Sequence, residues 1–169
     1  MSVPIPVLLL AGTGEARALA GRLADDPRFA VTASLAGAVE RPEAYPVPVR
    51  IGGFGGAEGL GAWLQGAGIA AVIDATHPFA ARISANAVAA ARIAGIPLLR
   101  LERPAWQAGP GDDWREVADL DEAAAILPLR ARPFLAVSRK EISRFAERRD
   151  LDCLMRMIDP PEAGTRPPP

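Results

Sequence analysis

Three glycine-rich or polar segments and a lone histidine are the parts of this sequence whose residue types and spacing could support chemistry. The segments "AGTGEAR", "GGFGG" and "DATHPFA" each follow a short apolar run and precede a helical pattern. In an open parallel sheet, such segments lie beyond the carboxyl ends of the strands, where ligands bind. We therefore expect the three segments to meet at one ligand-binding edge.

The first segment is typical of a dinucleotide-binding turn. Gly12-Thr13-Gly14 follows an apolar strand and opens a helix, whose first amides favour a phosphate. However, Arg17 stands at the third glycine position of the G-x-G-x-x-G/A motif, and Glu15 places a carboxylate in the first helical turn. Because that carboxylate suits the helix dipole but repels a pyrophosphate, a plain strand-to-helix turn stays open as an alternative.

The second segment, Gly52-Gly53-Phe54-Gly55-Gly56, has four glycines in five residues. Such a backbone can approach a ligand closely and present its N–H groups without side chains in the way. A flexible loop is the alternative interpretation. The phenylalanine in the middle favours ligand contact, because flexibility does not require an aromatic side chain.

The residues after the second predicted strand bear on the choice of cofactor. NAD-binding domains usually carry an Asp or Glu there for the ribose 2′-hydroxyl. Here "TASLAGAVERPE" offers Ser34 and Gly37 and no acid before Glu40, and Arg41 is close enough to meet a 2′-phosphate. If a dinucleotide binds, the sequence favours NADP(H).

His77 is the single histidine of the chain, and it follows Asp74 and Thr76 at the end of the fourth predicted strand. A helix beginning near Pro78 would favour a neutral imidazole that exchanges hydrogen bonds with a ligand. A purely structural histidine is the alternative. With one histidine and only Cys153 as a thiol, the sequence excludes a disulfide framework and argues against a metal site.

Several reaction classes lack their motifs. A short-chain dehydrogenase needs Tyr four residues before Lys, but Tyr45 is followed at that distance by Val49. Lys140, the only lysine, has no P-loop around it, and no G-x-S-x-G nucleophile elbow occurs.

Short strands rich in Val, Ile and Leu alternate with helical segments, which predicts a doubly wound (Rossmann-like) α/β fold: a parallel sheet with helices on both faces. The predicted strands are 6–12, 29–37, 48–53, 69–76 and 96–102, and the predicted helices are 15–26, 57–68 and 78–95, followed by a short strand and a helix within 114–128. The predicted domains are a nucleotide-binding domain at 1–128, the start of a second α/β domain at 129–159, and a proline-rich tail at 160–169.

Composition excludes several partners. Half of the 169 residues are apolar, and 19 Lys and Arg against 20 Asp and Glu leave no net charge that would favour nucleic acid or membranes. The sequence also lacks a signal-peptide pattern and a run of about 18 apolar residues. We expect a soluble, cytoplasmic protein.

In order and spacing, "LLLAGTGEARALA", "SLAG", "IGGFGG", "VIDATHPFAARISANA" and "LLRLERPAW" closely resemble the precorrin-6A reductase family of cobalamin biosynthesis, called cobalt-precorrin-6A reductase in the anaerobic route. The resemblance extends from about Pro6 to Glu162 and includes "FLAVSRKEI" and "RMIDPPEA". It implies a two-domain α/β enzyme that uses NADPH to reduce one double bond of a tetrapyrrole-derived macrocycle.

The resemblance also implies roles for individual residues. "GTGEA" and "SLAG" would line the cofactor, while "GGFGG" and "THPFA" would face cofactor and substrate, with His77 orienting one of them or supplying a proton. The carboxylates of the substrate would be clamped by cationic side chains, for which the candidates are Arg82, Arg103, Arg139 and Lys140.

The sequence departs from the family in two places. Ala38 stands where family members often have Arg, so a 2′-phosphate contact falls to Arg41. The family chain also continues beyond "DPPEA", whereas this one ends at Pro169. A truncated nucleotide-binding module without reductase activity is therefore the alternative function, and an unfinished second domain would favour self-association.

Overall fold

The computed structural model describes residues 3–36, 44–137 and 141–156. Its contacts divide the chain into two units, with the division between Ala105 and Trp106. The sequence analysis placed a boundary at residue 128 instead, after a helix that the structure assigns to the second unit. The two units are described separately.

The first unit contains a five-stranded sheet in which every neighbouring pair is parallel, in the order β3-β2-β1-β4-β5. The predicted doubly wound α/β fold is confirmed. The strands are β1 (Ile5–Leu10), β2 (Phe29–Leu35), β3 (Val49–Ile51), β4 (Ala71–Asp74) and β5 (Leu98–Arg100), and the helices are α1 (Gly14–Ala24), α2 (Gly56–Gly66) and α3 (Ala81–Ala94).

Alternation along β1 produces a core on each face of the sheet. Leu8 and Leu10 belong to a buried cluster that includes Leu60 of α2 and Ala87 of α3. Val7 and Leu9, which point the opposite way, lie in a second buried cluster with Ala16 and Ala20 of α1 and Val31 of β2. A strand buried on both faces is apolar at every position, which is why the sequence shows an uninterrupted "VLLL".

The ends of the helices follow local signals in the sequence. The Thr13 hydroxyl caps α1 by accepting from the Ala16 N–H at 3.1 Å. Gly95 ends α3 in the left-handed conformation, with φ 68°. Helix α3 begins at Ala81, three residues after Pro78, where the sequence predicted an earlier start. The residues between form a turn in which the Ala80 N–H donates to the His77 carbonyl.

The second unit contains helix α4 (Leu120–Ile126), a 3₁₀ turn at Ile142–Phe145, and a two-stranded parallel sheet of β6 (Phe134–Leu135) and β7 (Leu154–Met155). Ala124 of α4 packs with Leu135 and Phe145 in its core. Helix α4 therefore belongs with the residues that follow it. The short strand predicted before the helix within 114–128 does not form.

Arg148 secures the carboxyl end of α4. Its guanidinium donates to the carbonyls of Ala124 and Leu127 and to the carboxylate of Asp150. The hydrogen bonds from this guanidinium and from the Arg130 N–H hold the pKa of Asp150 well below its ordinary value. The second unit thus depends on polar side chains as well as on its small apolar core.

Gly59 of α2 is a position where the fold excludes any side chain, and this gives a stability prediction. A Cβ there would lie 1.9 Å from the Phe54 carbonyl oxygen, a backbone atom. We expect Gly59→Ala to lower the free energy of unfolding by about 1–3 kcal/mol, measured by urea denaturation.

Gly21 of α1 is the matched control, because nothing lies within 4 Å of a Cβ built there. Gly21→Ala should raise the free energy of unfolding by about 0.5–1 kcal/mol, since alanine restricts the unfolded chain and suits a helix. Equal effects of the two substitutions would contradict the close approach of α2 to Phe54.

Candidate functional site

A cleft of about 600 Å³ lies in the first unit at the carboxyl ends of its strands. Its volume is typical of sites for small molecules and cofactors, and its place is where open parallel sheets bind ligands. The residues that line it come from four strand ends and from the start of α3: Leu10, Ala11, Gly12, Ser34, Ala36, Gly52, Gly53, Phe54, Gly55, Gly56, Thr76, His77, Ala80, Arg82, Ile83 and Asn86.

The turn between β1 and α1 is fastened across the sheet. The Thr13 hydroxyl, besides capping α1, donates to the Ala75 carbonyl after β4 at 2.8 Å. The Ala75 N–H in turn donates to the Leu10 carbonyl at 2.9 Å. These bonds hold the loops after β1 and β4 side by side, so that Gly12 and Thr76 face one cleft.

Backbone conformation explains the glycines of the second segment. Gly52, Gly55 and Gly56 have φ of 113°, 81° and 95°, in the region that other residues rarely adopt. Phe54 between them packs edge-on against Trp63 of α2, with ring centroids 5.4 Å apart. The aromatic ring thus ties a glycine-rich backbone to the core. The sequence analysis predicted ligand contact for this segment, and that stays a prediction.

Asp74 is a buried carboxylate beneath the cleft, 2% exposed. Its Oδ1 accepts from the Thr76 N–H at 3.1 Å and from the Thr76 hydroxyl at 2.7 Å. The same hydroxyl lies 3.4 Å from the Ser84 hydroxyl of α3. This network fixes the turn that carries Thr76 and His77, which gives Asp74 a structural task.

His77 is held in one tautomer by its neighbour. Its Nδ1 accepts from the Phe79 N–H at 3.2 Å, so the proton of a neutral ring resides on Nε2. The ring of Phe79 lies 5.1 Å from the imidazole, and the Phe79 side chain is 91% exposed. The imidazole lines the cleft, its Nε2 has no hydrogen-bond partner among the residues that the structure describes, and the exposed ring of Phe79 lies next to it.

The charge of the cleft suits an anionic ligand. Arg82 is a cation among its lining residues, and within residues 3–36, 44–137 and 141–156 that lining includes no Asp or Glu. Glu15, whose carboxylate raised the question of repulsion, does not line the cleft and pairs with Arg103 at 3.8 Å. Backbone amides and one guanidinium are what phosphate groups require.

The structure brings half of the candidate site residues singled out from the sequence into the lining of the cleft. Those that line the cleft are Gly12, Ser34, Gly53, Phe54, Gly55, Thr76, His77 and Arg82. Thr13, Gly14, Glu15 and Arg103 lie near the first turn of α1 without lining it. Gly37, Arg41, Arg139 and Lys140 fall outside the described residues.

Sequence reasoning missed three lining residues, Leu10, Ile83 and Asn86. Leu10 is the last residue of β1, so its place at the carboxyl edge of the sheet could have been inferred. Asn86 lies six residues into α3, and only the helical spacing from Arg82 could have indicated that it shares a face with that residue.

Within residues 3–36, 44–137 and 141–156, no three His, Cys, Asp or Glu side chains cluster in a way that could hold a metal ion. No helix in that part of the chain is long and apolar enough to cross a membrane.

The Asp74 network yields a prediction for stability. We expect Asp74→Ala to lower the free energy of unfolding by about 1–3 kcal/mol, because both Thr76 donors lose their acceptor. Asp74→Asn should cost less, since the amide oxygen can still accept both bonds. Asp25→Ala, at an exposed carboxylate, is the control and should stay within about 0.5 kcal/mol of the unsubstituted chain in urea denaturation.

Comparison with known proteins supports a single family. The model of the family "Precorrin-6x reductase CbiJ/CobK" matches residues 6–169. The chain is 49% identical over 162 residues to the precorrin-6A reductase of Rhodococcus erythropolis, covering 95% of this chain and 65% of that protein. It is 47% identical over 155 residues to the precorrin-6A reductase of a Sinorhizobium species, covering 91% and 59%.

A solved structure agrees with these relatives. The structure described as CobK precorrin-6A reductase superposes with a TM-score of 0.90 at 45% identity, over 97% of this chain and 64% of that one. The chain thus spans roughly three-fifths to two-thirds of the length of these relatives. On the family match and these likenesses together, the chain belongs to the precorrin-6x reductase CbiJ/CobK family.

Proposed function

We propose that this chain binds NADPH in the cleft of its first unit and takes part in the reduction of precorrin-6A to precorrin-6B. The proposal depends above all on one observation: the cleft at the strand ends is lined by glycine-rich backbone and His77, in a chain of this reductase family. A cytoplasmic location stays a prediction from the sequence.

The cleft suits the proposed nucleotide. It offers glycine-rich backbone and the guanidinium of Arg82, and the described part of its lining contains no carboxylate. Near the end of β2, the lining residues Ser34 and Ala36 place no acid where NAD-specific domains have one. We therefore propose NADPH over NADH. A nicotinamide cofactor supplies a hydride when bound, and the protein positions the reacting groups.

His77 would act as a hydrogen-bond donor at the reacting end of the cleft. Because Nδ1 is engaged by the Phe79 N–H, Nε2 is the atom that can donate to a bound ligand. In this tautomer the imidazole can donate a hydrogen bond from Nε2 to a carbonyl or amide oxygen of the ligand. That bond orients the ligand without transfer of the proton. Arg82, at the start of α3, is placed to meet a phosphate or a carboxylate of the macrocycle.

Nucleotide binding and turnover test the proposal directly. Calorimetry should show NADPH binding at least about tenfold tighter than NADH, and precorrin-6A should then be consumed with oxidation of NADPH. Absence of NADPH binding would overturn the assignment of the cleft. Binding without turnover would restrict the chain to nucleotide binding, which is the alternative function predicted from the sequence. Sedimentation would separately test self-association, which stays a prediction.

Two substitutions at His77 distinguish a hydrogen-bond donor from a proton donor. His77→Ala should lower kcat/KM at least about tenfold, the equivalent of about 1.4 kcal/mol, because the Nε2 donor is lost. His77→Gln keeps an N–H near the Nε2 position but cannot transfer a proton at neutral pH. It should therefore retain more activity than His77→Ala, and equal losses would identify His77 as the proton donor instead.

Phe79 gives a prediction about the substrate. Its exposed ring beside His77 is placed to contact an apolar face of the macrocycle. Phe79→Ala should raise KM for precorrin-6A several-fold while leaving the Kd for NADPH unchanged. The free energy of unfolding should change by less than about 0.5 kcal/mol, because the side chain is solvated. Val3→Ala, at another exposed side chain next to β1, should change neither constant.

A further inference from the structure

We propose that Arg50 is a positioning residue: from behind the loop at residues 52–56, it orders that backbone so that the N–H groups of Gly53 and Phe54 face the cleft. This inference rests on the proposed function, because the ligand it concerns is the nucleotide. Arg50 lies on the edge strand β3, beside Ser34 of β2 in the register. It is not among the residues that line the cleft.

The guanidinium of Arg50 makes three contacts with the loop. It donates to the Gly52 carbonyl and, at 2.8 Å, to the Gly53 carbonyl. Its central carbon lies 3.8 Å from the centroid of the Phe54 ring, in a stacked cation–π arrangement. The ring of Trp63 is 5.8 Å away and completes the aromatic surroundings. Only a flat, forked cation can bridge two carbonyls and stack on a ring.

Because the peptide bond is planar, these contacts also determine the direction in which two backbone N–H groups point. In a planar trans peptide, the C=O and the N–H point to opposite sides. With the carbonyls of Gly52 and Gly53 turned toward Arg50, the N–H groups of Gly53 and Phe54 turn away from it. Within the described part of the chain, neither of these amides donates to a protein acceptor.

Two neighbouring amides without protein acceptors, directed away from a cation and belonging to residues that line the cleft, suit an anionic ligand. A phosphate or the carboxamide oxygen of a nicotinamide would satisfy them. A segment with four glycines would otherwise sample many conformations, and ordering it at the moment of binding would weaken affinity. Because Arg50 orders the loop before the ligand binds, binding does not carry this entropic cost. Arg50 has this effect without contacting the ligand.

The first measurement needs no nucleotide. In ¹⁵N relaxation experiments on the ligand-free chain, order parameters of the loop glycines should lie near 0.85, and Arg50→Gln should reduce them to below about 0.6. The melting temperature should move little, because Arg50 contacts the loop rather than the buried core. Arg50→Lys should give intermediate order, since an ammonium can bond a carbonyl but cannot stack flat. Unchanged order parameters in Arg50→Gln would overturn the inference.

The second measurement links loop order to binding. Arg50→Gln should weaken NADPH binding about tenfold, and Arg50→Lys should recover part of that loss. Arg22→Gln, which removes an exposed arginine in the last turn of α1, controls for net charge and should leave the affinity unchanged. A loop that loosens without loss of affinity would overturn the role of Arg50 in binding.

The two measurements keep this inference separate from the proposed function. If the unsubstituted chain bound no NADPH, the proposed function would fail together with the claim about the ligand. The order parameters alone would still decide whether Arg50 positions the loop. If the unsubstituted chain bound NADPH and Arg50→Gln bound it equally well, the proposed function would stand and only this inference would fall.

Discussion

Strand β1 pairs in parallel with β2 on one side and with β4 on the other, in continuous register from Val7 to Leu10 on both sides. After β1 the chain adds β2 and β3 on one side of that strand, and it then crosses over to add β4 and β5 on the other side. The loops that follow β1 and β4 diverge because the strand order reverses between these two strands. A crevice therefore lies between the loops whichever side chains they carry. The strand order therefore determines the position of the cleft, and the candidate site residues lie along its rim.

The rim is built mainly from backbone. Glycines with positive φ let the main chain approach a ligand, while a buried carboxylate and a guanidinium hold the two loops from behind. Asp74 and Arg50 thus stabilise the shape of the cleft through hydrogen bonds without lining it. This arrangement leaves Arg82 as a cation within the described lining, with the imidazole of His77 as a hydrogen-bonding group of the same cleft.

The Glu15–Arg103 pair illustrates how the fold resolves a conflict that the sequence left open. A carboxylate in the first turn of α1 suits the helix dipole but would oppose a pyrophosphate on the same amides. In the structure, a guanidinium after β5 lies 3.8 Å from that carboxylate and offsets its charge. Both side chains are nearly half exposed, so the pair acts by local charge compensation rather than as a contributor to stability.

The sequence by itself determined the elements and their faces. The apolar run of β1, the glycine at the end of α3 and the glycine turns act over a few residues, so their local patterns predicted the fold class, the ligand edge and the family. Tertiary structure decided what depends on distant neighbours. The short strand predicted before the helix within 114–128 does not form, because a strand requires a partner for its hydrogen bonds and no local pattern supplies one. The tasks of Arg50 and Arg103 likewise follow from what the sheet register brings within reach, since a side chain's partners are set by spatial contact and not by position along the chain.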